Sequence, residues 1–458
     1  MMGGSMVDTD TICALATPRG VAGLAVVRVS GSRAIDVCQR FFRGALSLLD
    51  TPGYTIRFGW WVDGATRVDS VTASVFRSPH SYTGEDVVEI GCHGGAFTSQ
   101  VIIDGLLTDG VRLAHPGEFT RRAFVNQKLD LTQAEAVADV IHAESLVGAQ
   151  TAARQLAGGF TRRIKQLREG LLDVIGLLEL ELDFSEEDIE FVDRSRLRAL
   201  LSDLVAEVDL LGASAQGAEI LRSGFHIAAV GYPNAGKSSL FNALLQRSRA
   251  IVSEVPGTTR DYIQETILID GYSVHLSDTA GIRKTDDIIE LEGITLTRSL
   301  IEQSDAILVV NDASCGFDHS EALVGELCSA FPDVPVVVVQ NKIDLIPQSA
   351  GRDRSQSEIL CSAHSGFGLH TLRERIVGFI RSKTSGSTDV LVNGRQATLL
   401  GQIASSLGSA LTALDIGQSS DLLAVDIRAA IRLLGDVTGE SWNPDVLDSV
   451  FSRFCIGK

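Results

Sequence analysis

The residues whose types and spacing are best suited to chemistry form a glycine-rich loop near the middle of the chain. Residues 231–238 read Gly-Tyr-Pro-Asn-Ala-Gly-Lys-Ser. The two outer glycines, Gly231 and Gly236, allow the backbone to curve and direct its N–H groups at phosphate oxygens. Lys237 adds a positive charge for the β- and γ-phosphates, and the Ser238 hydroxyl is a ligand for Mg²⁺. This pattern predicts a phosphate-binding loop.

The segments that flank the loop give it the context that such a loop requires. Residues 226–230 form a short apolar run typical of a buried strand, and residues 239–245 repeat apolar side chains at helical spacing. A strand, a loop and a helix in this order place the phosphates at a helix N-terminus, where the helix dipole favours anions.

Three later segments distinguish guanine from adenine nucleotides. Asp278 follows a strand-like run and can hold the metal through water, while the Gly281 N–H can meet the γ-phosphate. The Asp344 carboxylate can accept hydrogen bonds from N1–H and the exocyclic amine of guanine, a pair of donors that adenine lacks. Ser362 and Ala363 would bring a backbone N–H to guanine O6.

These motifs, each behind a strand-like run, predict a GTP site; the alternative is an α/β domain that binds no nucleotide. The predicted GTP contacts lie in the phosphate-binding loop, in a following loop and in the three later segments. They are Asn234, Ala235, Gly236, Lys237, Ser238, Ser239, Ser253, Glu254, Val255, Pro256, Gly257, Thr258, Asp278, Thr279, Ala280, Gly281, Asn341, Lys342, Asp344, Ser362 and Ala363.

Hydrolysis needs a group that orients water and a positive charge against the γ-phosphate. Many GTPases place a glutamine directly after the Asp-x-x-Gly motif, but Ile282 stands there in this chain and cannot orient water. Residues 253–261 contain Pro256 and Gly257 and are predicted to form a switch loop, from which Thr259 can reach Mg²⁺ as a second ligand beside Ser238. Because Ile282 cannot orient water, another residue must position the attacking water.

Further motifs lie in the first third and at the C-terminus of the chain. The first third contains Ser-Tyr-Thr-Gly-Glu-Asp at 81–86, His-Gly-Gly at 93–95, Pro-Gly-Glu-Phe-Thr at 116–120 and Lys-Leu-Asp-Leu at 128–131. The chain ends in Phe-Cys-Ile-Gly-Lys at 454–458. With the nucleotide motifs, these segments make the chain resemble the MnmE (TrmE) family of tRNA modification GTPases from about residue 8 to residue 458.

The resemblance implies a particular way of activating hydrolysis. In the family, K⁺-dependent dimerisation of the GTPase domains replaces an arginine finger, and the K⁺ ligands carried over are Asn234, Ser253, Val255 and Thr258. Position 253 is usually threonine in the family. Glu290 matches the family's water-orienting glutamate and is the expected catalytic residue, which answers the absence of a glutamine at Ile282.

The resemblance also implies a second site and several partners. In the family the N-terminal domain forms a homodimer and binds a tetrahydrofolate derivative (5-formyl- or methylene-tetrahydrofolate); Arg28, Glu89, Lys128 and Lys458 match its contacts. An FAD-dependent subunit of the MnmG (GidA) type, in a heterotetramer or larger complex, and tRNA are the implied partners. The implied reaction is a carboxymethylaminomethyl-type modification at C5 of the wobble uridine, U34. For Cys455, a chemical role and a packing role both stay open.

Two other classes of protein share part of this pattern. A ribosome-associated GTPase switch would have the same nucleotide motifs, and a stand-alone folate-dependent one-carbon transferase could contain a regulatory GTPase insert.

Where the family commonly has Arg-His after the GTPase domain, this chain has Arg395 followed by Gln396, so a role for that histidine has no counterpart here.

Composition sets limits on location and on partners. A net charge of -18 argues against broad electrostatic capture of nucleic acid, so Arg121, Arg122 and residues 162–165 are candidates either for a local basic patch or for solvated helix faces. The cysteines contain no Cys-x-x-Cys pair, which favours a reducing cytoplasm. Six of them are expected to be small buried residues: Cys13, Cys38, Cys92, Cys315, Cys328 and Cys361. No apolar run approaches the ~20 residues of a membrane span.

The periodicity predicts a multidomain α/β chain. Residues 1–125 alternate strand-like and helical runs, which indicates an α+β domain for folate binding and dimerisation. Long helical patterns occupy residues 126–220 and 383–458, for example Leu399, Ile403, Leu407 and Leu411. The predicted fold is a P-loop GTPase domain, residues 221–382, inserted in an α-helical domain made of two segments.

Overall fold

A computed structural model describes residues 10–183, 194–247, 264–278, 298–347, 358–384, 390–452 and 454–458. The chain divides into two compact units. The first contains residues up to Ala138, Gln155–Leu201 and Ser405–Lys458, and the second contains Asp139–Arg154 and Ser202–Ala404. The boundaries of the three predicted domains stay a prediction.

The strands and helices are as follows. The strands are β1 Ile12–Leu15, β2 Ala22–Ser30, β3 Phe42–Gly44, β4 Thr55–Asp63, β5 Thr66–Phe76, β6 Val87–Gly94, β7 Arg112–Leu113, β8 Phe225–Val230, β9 Gln264–Ile269, β10 Tyr272–Asp278, β11 Ala306–Asp312, β12 Val336–Asn341 and β13 Ile359–Leu360. The helices are α1 Ala34–Phe41, α2 Thr98–Thr108, α3 Glu118–Val125, α4 Leu131–His142, α5 Leu146–Leu156, α6 Gly159–Asp183, α7 Arg194–Ser223, α8 Lys237–Arg247, α9 Glu321–Ala330, α10 Leu369–Thr384, α11 Gly394–Asp415, α12 Ser420–Thr438 and α13 Pro444–Phe451.

The first unit contains a sheet in the order β3-β4-β5-β6-β2-β1-β7. All neighbouring pairs are antiparallel except β1 and β7, which are parallel. Val27 and Val29 of β2 are fully buried in a core that includes residues of α1 and α2. Because side chains alternate along a strand, Arg28 between them lies on the opposite face of the sheet.

The second unit contains a sheet in the order β13-β12-β11-β8-β10-β9. Only β9 runs antiparallel to its neighbour. Strands β8, β10, β12 and β13 therefore end at the same edge of the sheet, where ligands bind in open α/β sheets. The apolar runs that predicted these strands are confirmed, and β11 is buried along Ala306–Asn311 as expected for an inner parallel strand.

The helices have the apolar stripes that the periodicity predicted. In the first unit, Leu171, Val174 and Leu178 of α6 are buried, as are Leu423 and Ile427 of α12. Among the described residues, one helix, α11, is long and apolar enough to cross a membrane by length and composition alone. Its buried residues (Leu400, Ile403, Leu407 and Ala410) recur at helical spacing, while Gln402, Ser405 and Ser409 are exposed, so α11 is amphipathic.

The prediction that six cysteines are buried is wrong for two of them. Cys13, Cys38, Cys92 and Cys361 are buried, but Cys315 and Cys328 are exposed. Cys315 lies in a short 3₁₀ turn, Ala313–Cys315, that follows the end of β11. Cys328 lies on the outer side of α9, whose buried residue is the adjacent Leu327. Residue type alone does not determine which side of a turn or helix faces solvent.

Candidate functional site

Two glycines shape the loop between β8 and α8. Gly231 has φ +155°, and a Cβ added there would lie 2.2 Å from the carbonyl oxygen of Val310. Gly236 has φ +89°, and an added Cβ would lie 2.4 Å from Nδ2 of Asn341. Only glycine fits these two positions, because any side chain would collide with the neighbouring strand ends. Helix α8 begins directly afterwards, at Lys237.

The cationic and hydroxyl groups of the loop lie where the sequence predicted. Lys237 is buried, and its Nζ donates hydrogen bonds to the carbonyl oxygens of Gly231, at 2.8 Å, and Tyr232, at 3.1 Å. The Ser238 hydroxyl donates to Oδ2 of Asp278 at 3.1 Å. A hydroxyl and a carboxylate oxygen side by side suit Mg²⁺, one as direct ligand and the other through water. The fold thus brings together two groups 40 residues apart in sequence.

The Asn341 side chain joins three of the predicted motifs. Its Nδ2 donates to the carbonyl oxygen of Ala235 in the phosphate-binding loop at 2.9 Å, and its Oδ1 accepts from the Ala363 N–H at 3.1 Å. Asn341 is 1% exposed. Asp344 is exposed, and a hydrogen bond from the Ser362 side chain lowers its pKa, so it is ionised and accessible to the edge of a base.

One residue of this region was missed by the sequence analysis. Asp312 ends β11 beside Asn341, and its Oδ2 accepts a hydrogen bond from Nζ of Lys342 at 2.6 Å. Burial acts to raise the pKa of Asp312, but hydrogen bonds from Lys342 and Ser314 outweigh it and lower the pKa. Lys342 itself has φ +61°, in the left-handed region. The signal was available: Asp312 is a carboxylate at the end of an apolar strand, as Asp278 is.

Of the other predicted GTP and metal residues, some are described and some are not. Asn234 is exposed with φ +64°, and Ser239 is exposed in the first turn of α8. The predicted residues outside the described parts of the chain are Ser253, Glu254, Val255, Pro256, Gly257, Thr258, Thr259, Thr279, Ala280, Gly281 and Glu290. Among the described residues, no group of three or more His, Cys, Asp and Glu could hold a metal ion.

A second cluster lies in the first unit, around Arg28. Arg28 is directly opposite Glu89 in the register of β2 and β6, and its Nε and Nη2 lie 2.9 Å and 2.8 Å from Glu89 Oε1. The guanidinium carbon lies 5.3 Å from the ring centre of Tyr82 and 5.6 Å from that of Phe119. A carboxylate, a cation and two aromatic rings together suit a flat heterocycle with a polar edge.

The C-terminal residues belong to this cluster. Nη1 of Arg28 donates to the carbonyl oxygen of Gly457 at 3.2 Å. Gly457 has φ +100°, and an added Cβ would lie 2.5 Å from the carbonyl oxygen of Leu15. Burial, followed by the nearby charge of Arg28, lowers the pKa of Lys458. Lys128 is exposed and donates to the carbonyl oxygen of Pro79 at 3.0 Å, so its contact is with the loop that contains Tyr82.

Both interpretations of Arg122, as part of a basic patch and as part of a solvated helix face, are wrong. Its side chain is 7% exposed and is bonded to Asp10, Glu85 and Glu118. Arg112 binds the same Glu118 through two nitrogens, at 2.7 Å and 2.9 Å. A buried guanidinium that three carboxylates neutralise offers no charge to a polyanion. Arg162 and Lys165 of α6 are exposed, which fits both a basic patch and a solvated helix face.

Comparisons with known proteins cover almost the whole chain. Residues 131–455 match the model of the MnmE helical domain, and residues 11–128 match that of the GTP-binding protein TrmE N-terminus. A protein of Salinibacter ruber named tRNA modification GTPase MnmE is 43% identical, over 99% of this chain and 100% of its own length. One of the same name from Chlorobium phaeobacteroides is 42% identical, over 99% and 98%.

A solved structure is also similar in part. The G domain of the T. maritima FeoB iron transporter is 25% identical and covers 34% of this chain and 98% of its own, with a TM-score of 0.26, too low to support any inference about the site. The family models and full-length relatives confirm both the resemblance and the predicted fold class, with an α+β N-terminal domain, a helical domain and a P-loop GTPase domain. This chain belongs to the MnmE (TrmE) family of tRNA modification GTPases.

Proposed function

We propose that this chain is a K⁺-activated GTPase that modifies the wobble uridine of certain tRNAs together with a flavin-dependent partner. The observation that supports GTP binding most directly is the convergence of Ser238, Asp278, Asn341 and Ala363 at one edge of the mostly parallel sheet. Full-length relatives named tRNA modification GTPase MnmE support the role in tRNA modification.

In this proposal the loop at residues 231–238 binds the phosphates and the two later strand ends bind guanine. Mg²⁺, held by Ser238 and Thr259 with Asp278 through water, would neutralise phosphate charge. K⁺, held by Asn234, Ser253, Val255 and Thr258, would supply positive charge against the γ-phosphate. Lys237 binds phosphate, and Glu290 orients the attacking water. Dimerisation would complete the K⁺ site.

Turnover in different cations tests this part of the proposal. GTP hydrolysis should be much faster in potassium than in sodium buffer, and Glu290→Ala should lower turnover strongly while GTP affinity stays nearly unchanged. Glu302→Ala, on an exposed helical residue paired with Arg298, is the matched control. Equal rates in the two buffers, or an unchanged rate for Glu290→Ala, would contradict the mechanism.

The cluster around Arg28 is the proposed tetrahydrofolate site. Glu89 would accept hydrogen bonds from the pterin amide and amine, while Arg28, Lys128 and Lys458 suit the polar edge and the glutamate tail. The bound folate would supply the one-carbon unit, and an MnmG-type subunit would supply FAD. The proposed setting is a homodimer in the cytoplasm that acts on U34 of tRNA.

Two measurements test this second part. Fluorescence titration with 5-formyltetrahydrofolate should saturate, and Arg28→Gln should weaken binding about tenfold or more, since a charged hydrogen bond is lost. Arg40→Gln is the matched control, because α1 packs on the opposite face of the sheet. Mass spectrometry of tRNA nucleosides from a deletion strain should show loss of the U34 modification. An intact modification would instead favour a ribosome-associated switch or a stand-alone one-carbon transferase.

A further inference from the structure

A chain of three polar side chains, two of them buried and one half-buried, crosses the second sheet just below the proposed guanine site. Asn311 of β11 donates from Nδ2 to Oε1 of Gln340 on β12 at 2.6 Å. Gln340 in turn donates from Nε2 to Oε2 of Glu358, which precedes β13, at 2.8 Å. Gln340 is 0% exposed and Asn311 is 1% exposed. The three side chains link the C-terminal parts of β11 and β12 with the residue that precedes β13.

The position of this chain relates it to the residues that would contact the base. Asn311 is directly opposite Gln340, and the next pair along the strands is Asp312 and Asn341. On the other side of β12, the backbone carbonyl of Gln340 accepts from the Cys361 N–H at 2.8 Å, one residue before Ser362. Gln340 therefore adjoins both segments that lead to the proposed base contacts. It precedes Asn341 in sequence, and its backbone is bonded to Cys361, which precedes Ser362.

The same side chains hold the turn that follows β11. Nδ2 of Asn311 donates to the carbonyl oxygen of Gly316 at 2.9 Å, and Nε2 of Gln340 donates to that of Phe317 at 3.2 Å. The turn carries His319, whose ring lies 4.5 Å from that of Tyr232 in the phosphate-binding loop. The polar chain therefore reaches the phosphate-binding loop through this turn and one ring contact, whereas its own hydrogen bonds adjoin the base segments directly.

Stability alone gives no reason for these residue types. Apart from Asn311 and Gln340, β11 and β12 are composed mainly of Val, Ile and Leu up to the strand ends. Buried amides gain little over apolar side chains even when they are bonded. Oδ1 of Asn311 is buried with no hydrogen-bond donor among the described residues, which is a cost to folding. Buried polar groups that are hydrogen-bonded do fix the relative position of the strands, because a shifted strand would break their hydrogen bonds.

We propose that Gln340, together with Asn311 and Glu358, is a positioning residue for guanine selectivity. It sets the ends of β12 and β13 so that Asp344 and Ala363 reach the same edge of one base. This inference rests on the proposed GTP site. Gln340 makes no contact with the nucleotide and acts only through the backbone of its neighbours.

Comparing GDP with IDP isolates this role, because inosine lacks the exocyclic amine that Asp344 would bind. In Gln340→Leu the dissociation constant for GDP should rise about tenfold, the cost of one misaligned charged contact, while that for IDP rises less. The preference for GDP over IDP therefore falls. In turnover, KM for GTP should rise while kcat changes less than about twofold, since the phosphate contacts stay in place.

A double exchange keeps the test valid if the leucine variant folds poorly. Gln340→Glu alone places two carboxylates in contact and should lose selectivity. Gln340→Glu with Glu358→Gln restores the bond between these two side chains with donor and acceptor exchanged, while the longer bond to the carbonyl oxygen of Phe317 stays lost, and it should recover a measurable part of the wild-type preference. Ser273→Ala removes another buried polar group from the same sheet, near the start of β10, and should change nothing in selectivity.

The outcomes separate this inference from the proposed function. A wild-type chain without preference for GDP over ADP would overturn both. Given a selective wild type, an unchanged GDP-to-IDP ratio in Gln340→Leu, or equal weakening of both nucleotides, would overturn only the positioning role. Failure of the double exchange to recover selectivity would do the same.

Discussion

Single residues decide which groups can approach the nucleotide. Gly236 illustrates this, because its missing side chain lets the phosphate-binding loop pack directly against Asn341. The contact holds the loop and the base segment together through the bond from Asn341 to Ala235. A side chain here would therefore disturb both the phosphate and the base contacts.

Gly236→Ala should lower GDP affinity by at least about tenfold, because its Cβ would displace Asn341 and the residue has a positive φ. Isothermal titration with GDP measures the effect. Gly378→Ala is the matched control: it lies within α10 in open space, so it should leave affinity unchanged and stabilise the fold by about 0.5–1 kcal/mol. Wild-type affinity in Gly236→Ala would contradict the packing described here.

Cysteine reactivity is also decided residue by residue. Burial raises the pKa of Cys13 to about 12, that of Cys92 to about 11 and that of Cys361 to about 12, and Cys38 is completely buried. These thiols are neutral and inaccessible. The exposed thiols are Cys315, Cys328 and Cys455.

Ellman's reagent should consequently modify three thiols in the native protein and the other four only after unfolding. Cys455→Ser should remove one of the native-state thiols and leave two. Modification of four or more thiols before unfolding would show that the buried cysteines are accessible. Cys455 is exposed rather than packed, so retained tRNA modification by Cys455→Ser would exclude a chemical role for that residue.

Elements are joined by charged side chains as well as by apolar cores. Glu118 begins α3 and binds Arg112 of β7 and Arg122 of its own helix. Burial acts to raise the pKa of Glu118, but the hydrogen bonds from Arg112, from the His115 N–H and from Arg122 lower it to about 2. The folded-state pKa is therefore below the unfolded value of 4.5.

A depressed carboxyl pKa stabilises the fold above the unfolded pKa, and this contribution is lost as the pH falls from about 4.5 towards 2. Glu118→Gln should cost about 3 kcal/mol at pH 7, because Arg112 and Arg122 lose the most deeply buried of their carboxylate partners and keep only Asp10 and Glu85. The difference from wild type should shrink below pH 4.5. Urea unfolding at pH 7 and pH 3 measures both effects.

Glu179→Gln is the comparison for an exposed pair, since Glu179 binds Arg428 at the surface of the same unit. It should cost less than about 1 kcal/mol. If Glu118→Gln and Glu179→Gln were equally mild at pH 7, the buried network would not stabilise the first unit.

At the scale of the whole molecule, charge limits contact with nucleic acid. The net charge is -18, and Arg122 is neutralised inside the first unit. Each phosphate that a protein neutralises contributes about -0.7 to -0.9 to the slope of log K against log salt. A strongly negative net charge repels a polyanion, which limits the number of phosphates that the chain can contact.

The isolated chain should therefore bind tRNA weakly, with a salt slope no steeper than about -3. Fluorescence anisotropy with labelled tRNA between about 50 and 200 mM KCl measures this slope. A steeper slope would show a strong basic surface on this chain. Addition of the proposed MnmG-type subunit should steepen it, because that subunit would then supply most of the phosphate contacts.

The sequence alone determined the family and the strands that carry the predicted nucleotide site, and it predicted the residues of that site. Those features depend on short patterns, namely glycines at fixed spacing, apolar runs and a carboxylate or amide at a strand end, and local physics limits what such patterns can form. The predictions for residues 253–259, 279–281 and Glu290 lie outside the described residues and stay predictions.

Only the tertiary structure decided which distant polar groups meet. Nothing local connects Arg28 with Gly457, Arg122 with Asp10, or Gln340 with Asn311 and Glu358. It also decided that Arg122 is buried and that Cys315 and Cys328 are exposed. The physical reason is that burial and charge pairing depend on strand order and register, which bring together residues far apart in the chain.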